Sequence, residues 1–371
     1  MFVVTEDWYF VSHRLGLARA AREAGYEVAV ATRVDSTAAP IRDAGLELLP
    51  LRRLRRSSFN PVRELAAIGE LLALYRRWRP SLVHHVALKP VLYGSLAAAL
   101  ARVPARVNAL AGLGFVFVQG RLLAHALRPL VLGAFRWALG AARTRTIVQN
   151  PDDAALLVER IGLQRASVRL IRGSGVDLQR FRVEVVPPGE PVVLLMSRML
   201  WDKGVGEFVE AARLLRARGS RARFVLVGDP DGENPAAIPV ERLRQWQASG
   251  AVEWWGHRAD AAAVIAQATI VALPSYREGL PKVLLEAAAC GRPMVATDVP
   301  GCREVVVQET TGLLVPPRDA AALANAMLRL LDDAALRGRL GAQARSLAER
   351  EFGSAAATPQ PAHSRRIQCR R

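Results

Sequence analysis

Two carboxylates stand eight residues apart in Ser275-Tyr276-Arg277-Glu278-Gly279-Leu280-Pro281-Lys282-Val283-Leu284-Leu285-Glu286-Ala287. The apolar run Thr269 to Leu273 reads as a strand, and Pro274-Ser275 ends it. Pro281 suits the first turn of a helix, where its missing N–H costs nothing. Val283, Leu284, Ala287 and Ala288 then supply a helical apolar face. Glu278, Gly279 and Leu280 therefore fall at a strand-to-helix turn. Free backbone N–H groups and the positive end of the helix dipole converge there, which favours an anion such as a phosphate. Glu286, deeper in the helix, can offer a bidentate acceptor to a diol. Taken alone, the pair is equally a capping acid and a surface acid. With cations nearby it suggests a nucleotide-sugar site.

Those cations are present in the sequence. Ser197-Arg198 follows a strand, Val192 to Met196, and Asp202-Lys203-Gly204 opens the next helix. A planar guanidinium fork and a point-charge ammonium are the groups expected around a diphosphate. Gly228-Asp229 and Gly256-His257 close the next two strands, and Pro300-Gly301-Cys302-Arg303-Glu304 follows another. Each of these is also an ordinary turn with a solvated neighbour. In the first half, Ser12-His13-Arg14 is expected to open the first helix, and His84-His85 to end a strand before Lys89-Pro90. Adjacent strand residues point to opposite faces, so at most one of the two histidines faces a ligand. The His, Cys and acid spacings fit no metal site. No Walker loop or true GxGxxG occurs; Gly112-Leu113-Gly114 and Gly173-Ser174-Gly175 are weak look-alikes, which argues against a P-loop ATPase or an ordinary dehydrogenase.

The elements that must position these groups alternate. Expected strands are Phe2 to Thr5, Glu27 to Thr32, Glu47 to Leu51, Leu82 to Val86, Ala105 to Leu110, Arg145 to Gln149 and Val168 to Ile171, with helices at Ser12 to Ala24 and Val62 to Trp78. Asn150-Pro151-Asp152-Asp153 is a helix start, with Asn150 as N-cap. A Pro- and Gly-rich stretch then reads as a linker. A second series follows: Val192 to Met196, Arg223 to Gly228, Ala251 to Trp254, Ile270 to Leu273, Met294 to Thr297 and Gly312 to Val315. The expected fold is α/β, with two Rossmann-like parallel-sheet domains facing a cleft and ligands at the carboxyl edges of the strands. The boundaries read 1–175, linker 176–191, 192–352, and a tail 353–371 without helical period, expected to be disordered.

The chain has 371 residues, which suits two cores rather than one. Lys and Arg exceed Asp and Glu by 17, so an acidic partner or a general Arg-rich bias is implied. A basic helix or an aromatic-basic sheet motif is missing, which argues against a nucleic-acid binder. Three cysteines without paired spacing, and no signal peptide, fit a reducing cytoplasm. Leu122 to Ala142 is the most apolar stretch, but His125, Arg128 and Arg136 interrupt it, so no spanning helix is expected. Leu51-Arg52-Arg53-Leu54-Arg55-Arg56 and that stretch read either as a solvated loop with a core helix or as a surface for anionic membrane.

On these residues the chain resembles the retaining GT-B glycosyltransferases of family 4. Glu278 to Glu286 is similar to the family's E-x7-E element, and Ser197-Arg198 with Lys203-Gly204 to its basic pair. Thr5-Glu6-Asp7-Trp8-Tyr9-Phe10, His84 to Pro90, Asn108 to Gly114 and Gly173 to Asp177 resemble bacterial enzymes that extend polyprenyl-diphosphate-linked sugars in O-antigen, capsule or N-glycan precursor assembly. The resemblance implies a first domain for the acceptor and a second for a nucleotide sugar, expected to be UDP-linked. Arg198 and Lys203 would hold the donor diphosphate in place of a metal. Glu286 would hold the ribose hydroxyls and Glu278 the donor sugar, with Ser197, Gly228, Gly279, Leu280 and Pro281 lining the donor and His84 as the first-half contact. No cofactor is implied beyond the donor. The enzyme would work in the cytoplasm, peripheral to the inner face of the plasma membrane. A soluble acceptor, an epimerase and an inactive interaction subunit are the remaining alternatives.

Overall fold

The computed structural model describes residues 1–35, 37–57, 60–110, 112 and 132–353. The expected tail beyond Gly353, and residues 122–131 of Leu122 to Ala142, lie outside them. In the first half the strands are β1 (Phe2–Glu6), β2 (Ala29–Arg33), β3 (Glu47–Pro50), β4 (Leu82–Val86), β5 (Ala105–Ala109), β6 (Thr144–Val148) and β7 (Val168–Leu170). They form one parallel sheet in the order β3-β2-β1-β4-β5-β6-β7. In the second half, β8 (Val192–Met196), β9 (Arg223–Val227), β10 (Glu253–Trp254), β11 (Ile270–Leu273), β12 (Met294–Thr297) and β13 (Gly312–Val315) form a second sheet. Its order is β10-β9-β8-β11-β12-β13, again parallel. The two Rossmann-like sheets read from sequence are both present.

Each sheet is buried on both faces, as parallel sheets require. In β8, Val193 and Leu195 enter one apolar cluster while Val192 and Leu194 enter the other. In β1, Val3 packs on one side and Phe2 and Val4 on the other. Chain order reverses between β1 and β4 in the first sheet, and between β8 and β11 in the second. Those switch points leave a crevice at the carboxyl ends of the strands, where ligands of such sheets bind.

Three local expectations change. The first helix does not begin at Ser12: a helix Asp7–His13 leaves β1 directly, and Leu15–Glu23 follows it. Asp7 makes this possible, because its carboxylate accepts the N–H groups of Trp8, Asp35 and Thr37 and pins the turn. Arg14, at φ −133°, breaks the helical path between the two segments. Ser12-His13-Arg14 thus closes a helix rather than opening one. Pro281 occupies the N-cap of the helix Lys282–Ala289, just before its first turn. Finally, the start of the stretch read as a linker packs on the second half. Val176 donates its N–H to the Phe352 carbonyl, and Val176 and Phe181 are buried in the second half's apolar cluster.

Candidate active site

Lys203 and Glu278 meet at the switch point of the second sheet. Lys203 Nζ lies 2.5 Å from Glu278 Oε1, and both side chains are largely buried. Neither residue reaches the other through its own element; two loops must be pressed together first. Lys203 ends a short 3-10 turn, Trp201–Lys203, and Gly204 follows at φ +70°. A Cβ on Gly204 would stand 2.0 Å from the Pro274 carbonyl oxygen, so only glycine lets the loop after β8 cross the loop after β11 here. The Tyr276 N–H donates to the Asp202 carbonyl at 2.9 Å, and the Tyr276 hydroxyl to Glu207 at 2.6 Å. The Arg318 guanidinium covers the Tyr276 ring at 4.6 Å.

Arg198 approaches from the neighbouring loop. Its guanidinium donates to Asp231 Oδ2 at 2.6 Å and stays partly exposed. The Ser197 hydroxyl donates to the Arg198 carbonyl at 2.9 Å. Gly228, at φ +130°, lies so close beneath that a Cβ would stand 1.9 Å from the Ser197 carbonyl oxygen. Gly228 also donates its N–H to Gly256 and accepts from the Trp254 indole, which fixes the end of β9. Ser197, Arg198, Lys203, Gly228 and Glu278 are thus held on adjoining loops at one edge. The groups present are two cations and a carboxylate beside backbone N–H groups of a helix start, a set that binds a polyanion.

Glu286 is placed differently. It is buried at 6% exposure, and its carboxylate faces the Lys282 ammonium at 3.5 Å, one helical turn away. Burial pushes its carboxyl above the ordinary range, and the Lys282 charge opposes that shift. Gly279, Leu280 and Pro281 form the connecting turn, with Leu280 packed into the second core.

The first half contributes residues that sequence reading missed. The Asn150 amide donates to the Gly279 carbonyl at 2.8 Å and to Asp153 at 3.0 Å, while its oxygen caps the helix Pro151–Glu159. A methyl built on Gly112 would stand 3.5 Å from the Gly279 nitrogen, so this backbone also lines the turn. Arg277 reaches Asp153 at 3.4 Å, and Lys282 reaches the Ser12 carbonyl at 3.3 Å. Asn150 was legible as a cap but not as a bridge, because nothing in a cap signature tells what the free amide hydrogens meet.

His84 does not join this group. Its ring stacks on Phe2 at 5.0 Å and is 7% exposed, and its Nε2 has no partner among the described residues. Burial and the Arg14 charge hold it down to about 3, so the imidazole is neutral. The ring packs within the first sheet, two residues short of the carboxyl end of β4, and no bond joins it to the Lys203–Glu278 edge among the described residues. His85 points the other way. It is bonded to the Tyr75 hydroxyl at 2.9 Å and to Asn108 at 2.8 Å, a satisfied buried histidine.

Comparison with known proteins agrees with the geometry. Residues 190–333 match a family model described as glycosyl transferases group 1, and residues 1–150 match one described as glycosyl transferase 4-like. N,N'-diacetylbacillosaminyl-diphospho-undecaprenol alpha-1,3-N-acetylgalactosaminyltransferase of Campylobacter jejuni is 30% identical over 344 residues, 89% of each chain. UDP-Gal:alpha-D-GlcNAc-diphosphoundecaprenol alpha-1,3-galactosyltransferase of Escherichia coli is 25% identical over 74% of this chain and 72% of its own. The structure of HepE from Anabaena in complex with UDP-glucose superposes with a TM-score of 0.74 at 18% identity, covering 96% of both chains.

Proposed function

The chain belongs to the group 1 glycosyltransferases with a GT-B fold, and on that premise we propose that it transfers a hexose or N-acetylhexosamine from a UDP-sugar to a polyprenyl-diphosphate-linked saccharide. The observation that carries this reading is the Lys203–Glu278 pair at the second switch point, with Arg198 beside it. The Campylobacter and E. coli relatives, named for transfer to diphospho-undecaprenol-linked sugars, support the acceptor class, and the latter supports UDP.

The steps follow from the residues. Arg198 and Lys203 neutralise the charge that grows on the departing diphosphate, the term that most often dominates such chemistry. They do so without needing a metal. Glu278 holds Lys203 in place and lies where a donor sugar would sit. Glu286 receives the ribose hydroxyls. Transfer proceeds with retention, the leaving phosphate taking the acceptor's proton. In this reading the first domain holds the acceptor and the second the donor. The protein works at a membrane surface: Val62 and Leu65 are exposed on the helix Pro61–Trp78, next to the arginines of residues 52–56. Among the described residues no helix is long and apolar enough to cross a membrane.

The decisive experiment incubates the purified protein with a panel of nucleotide sugars and a polyprenyl-diphosphate-linked N-acetylhexosamine in micelles, with EDTA present. The expected result is one UDP-sugar consumed and an α-linked product by NMR. Transfer that stops in EDTA would remove the metal-free step. A β-linked product would remove retention, and no transfer from any donor would remove the assignment.

A further inference from the structure

We infer that a hollow lined by Arg52, Arg53, Arg55, Arg63 and Ala66 is the seat of the acceptor's diphosphate. This deepens the proposed function and rests on its lipid-linked acceptor. The hollow has a volume of about 410 Å³ and lies on the first half, apart from the Arg198 and Lys203 loops.

The guanidiniums are presented on a fixed turn. Leu51 and Leu54 are buried, so the loop cannot roll over. The Arg52 and Arg53 N–H groups donate to the two oxygens of Glu70, at 2.8 and 2.9 Å. The acids around the hollow are committed elsewhere. Glu70 serves those backbone groups, Glu64 holds Lys89 at 3.0 Å, and Asp231 holds Arg56 and Arg198. Among the described residues, none of the four guanidiniums has a hydrogen-bond or acidic partner. Like charges held together repel, and an anion relieves that repulsion while taking paired N–H bonds from each planar fork. A diphosphate diester offers four non-bridging oxygens to these forks, against two on a single phosphodiester.

Two observations select the acceptor's diphosphate over the donor's. Arg56, the residue after Arg55, meets Arg198 through Asp231, so the hollow adjoins the cleft from the acceptor side. Val62 and Leu65, 74% and 69% exposed, flank Arg63 on the same helix, which suits a ligand that continues into a lipid tail.

The test is the double variant Arg53→Ala/Arg63→Ala, with Arg53→Lys/Arg63→Lys as a charge-retaining partner. Two acceptors are compared in detergent micelles: a polyprenyl-diphosphate-linked N-acetylhexosamine, and the same sugar as an octyl glycoside. The alanine variant is expected to raise KM about 10- to 100-fold for the first, as loss of two charge-assisted contacts would. KM for the donor and turnover on the octyl glycoside stay as in the wild type, and the lysine variant recovers part of the loss. Equal damage with both acceptors, or none with either, overturns the inference. A defect seen on phosphatidylglycerol vesicles but absent in micelles also overturns it, since the arginines would then read head groups. If the wild type itself ignores the lipid diphosphate while using the octyl glycoside, the proposed function falls and this inference with it.

Discussion

The first and second sheets of this protein share a switch-point topology, yet their interiors are built from different materials. The second is apolar on both faces through β8, β9, β11 and β12, and its charged groups stand on the loops at the edge. The first carries polar groups into its middle: His84 and His85 side by side in β4, Tyr75 and Asn108 bonded to His85, and Asp7 fully buried after β1. Apolar packing fixes the second half so that Lys203 and Glu278 are preorganised. The first half spends burial on hydrogen-bonded networks, which specify geometry but respond to protonation. On the proposed function, the donor's charge would meet a stiff scaffold and the acceptor a more responsive one.

Breaking the proposed donor edge should give the largest effects. Lys203→Ala and Glu278→Ala are each expected to lower kcat about 100- to 1,000-fold, in the range seen when one preorganised charge-stabilising group is lost. Each leaves one largely buried charge without its partner, so the melting temperature should fall by several degrees while the fold survives. Near-normal turnover in either would move the chemistry away from this edge. Gly228→Ala comes next. Its methyl overlaps the Ser197 carbonyl, so the loop bearing Arg198 must shift, with a loss of several kcal/mol in stability, about 2–4 by the usual scale of backbone strain and overpacking.

Acid should separate the halves. Burial holds His84 at about 3 and His85 at about 4 in the folded chain, below the ordinary imidazole value. The unfolded chain then binds the extra protons, so stability is full above the unfolded value and declines as pH falls toward the folded ones. Relative to the intrinsic rate at each pH, amide protection is expected to fall between pH 7 and pH 5 in β1, β4 and β5 before β8 and β11. Simultaneous opening of both sheets would erase the contrast between them.

Two smaller changes probe the seam. Asn150→Ala removes the bond to the Gly279 carbonyl and is expected to cost about 5- to 10-fold in kcat/KM, near 1 kcal/mol. Asp231→Asn frees Arg198 for the donor while loosening Arg56, so donor KM should fall about 2- to 5-fold as acceptor KM rises, an exposed-pair effect. Both constants moving together would show that Asp231 does not divide its charge between the halves.

Much of this was readable beforehand. β4, β8, β11, β12 and β13 occupy the expected residues, because buried parallel strands are short apolar runs bounded by turn residues. The shared edge of Lys203 and Glu278 was readable for the same reason: each follows such a strand. The first helix was not, because Asp7 starts it by collecting N–H groups from Asp35 and Thr37, some thirty residues on. Alternation tells that His84 and His85 diverge but not which neighbours receive each ring.

By itself the sequence determined the alternation of elements, the two-sheet architecture and the kit of charged groups at strand ends. Those depend on periodicity and turn chemistry, which act over a few residues. The tertiary structure decided the partnerships. Lys203 meets Glu278 across 75 residues, Asn150 meets Gly279 across 129, and Arg56 meets Asp231 across 175. Strand order and the close crossing of glycine-bearing loops set those meetings, and neither leaves a local mark on the chain.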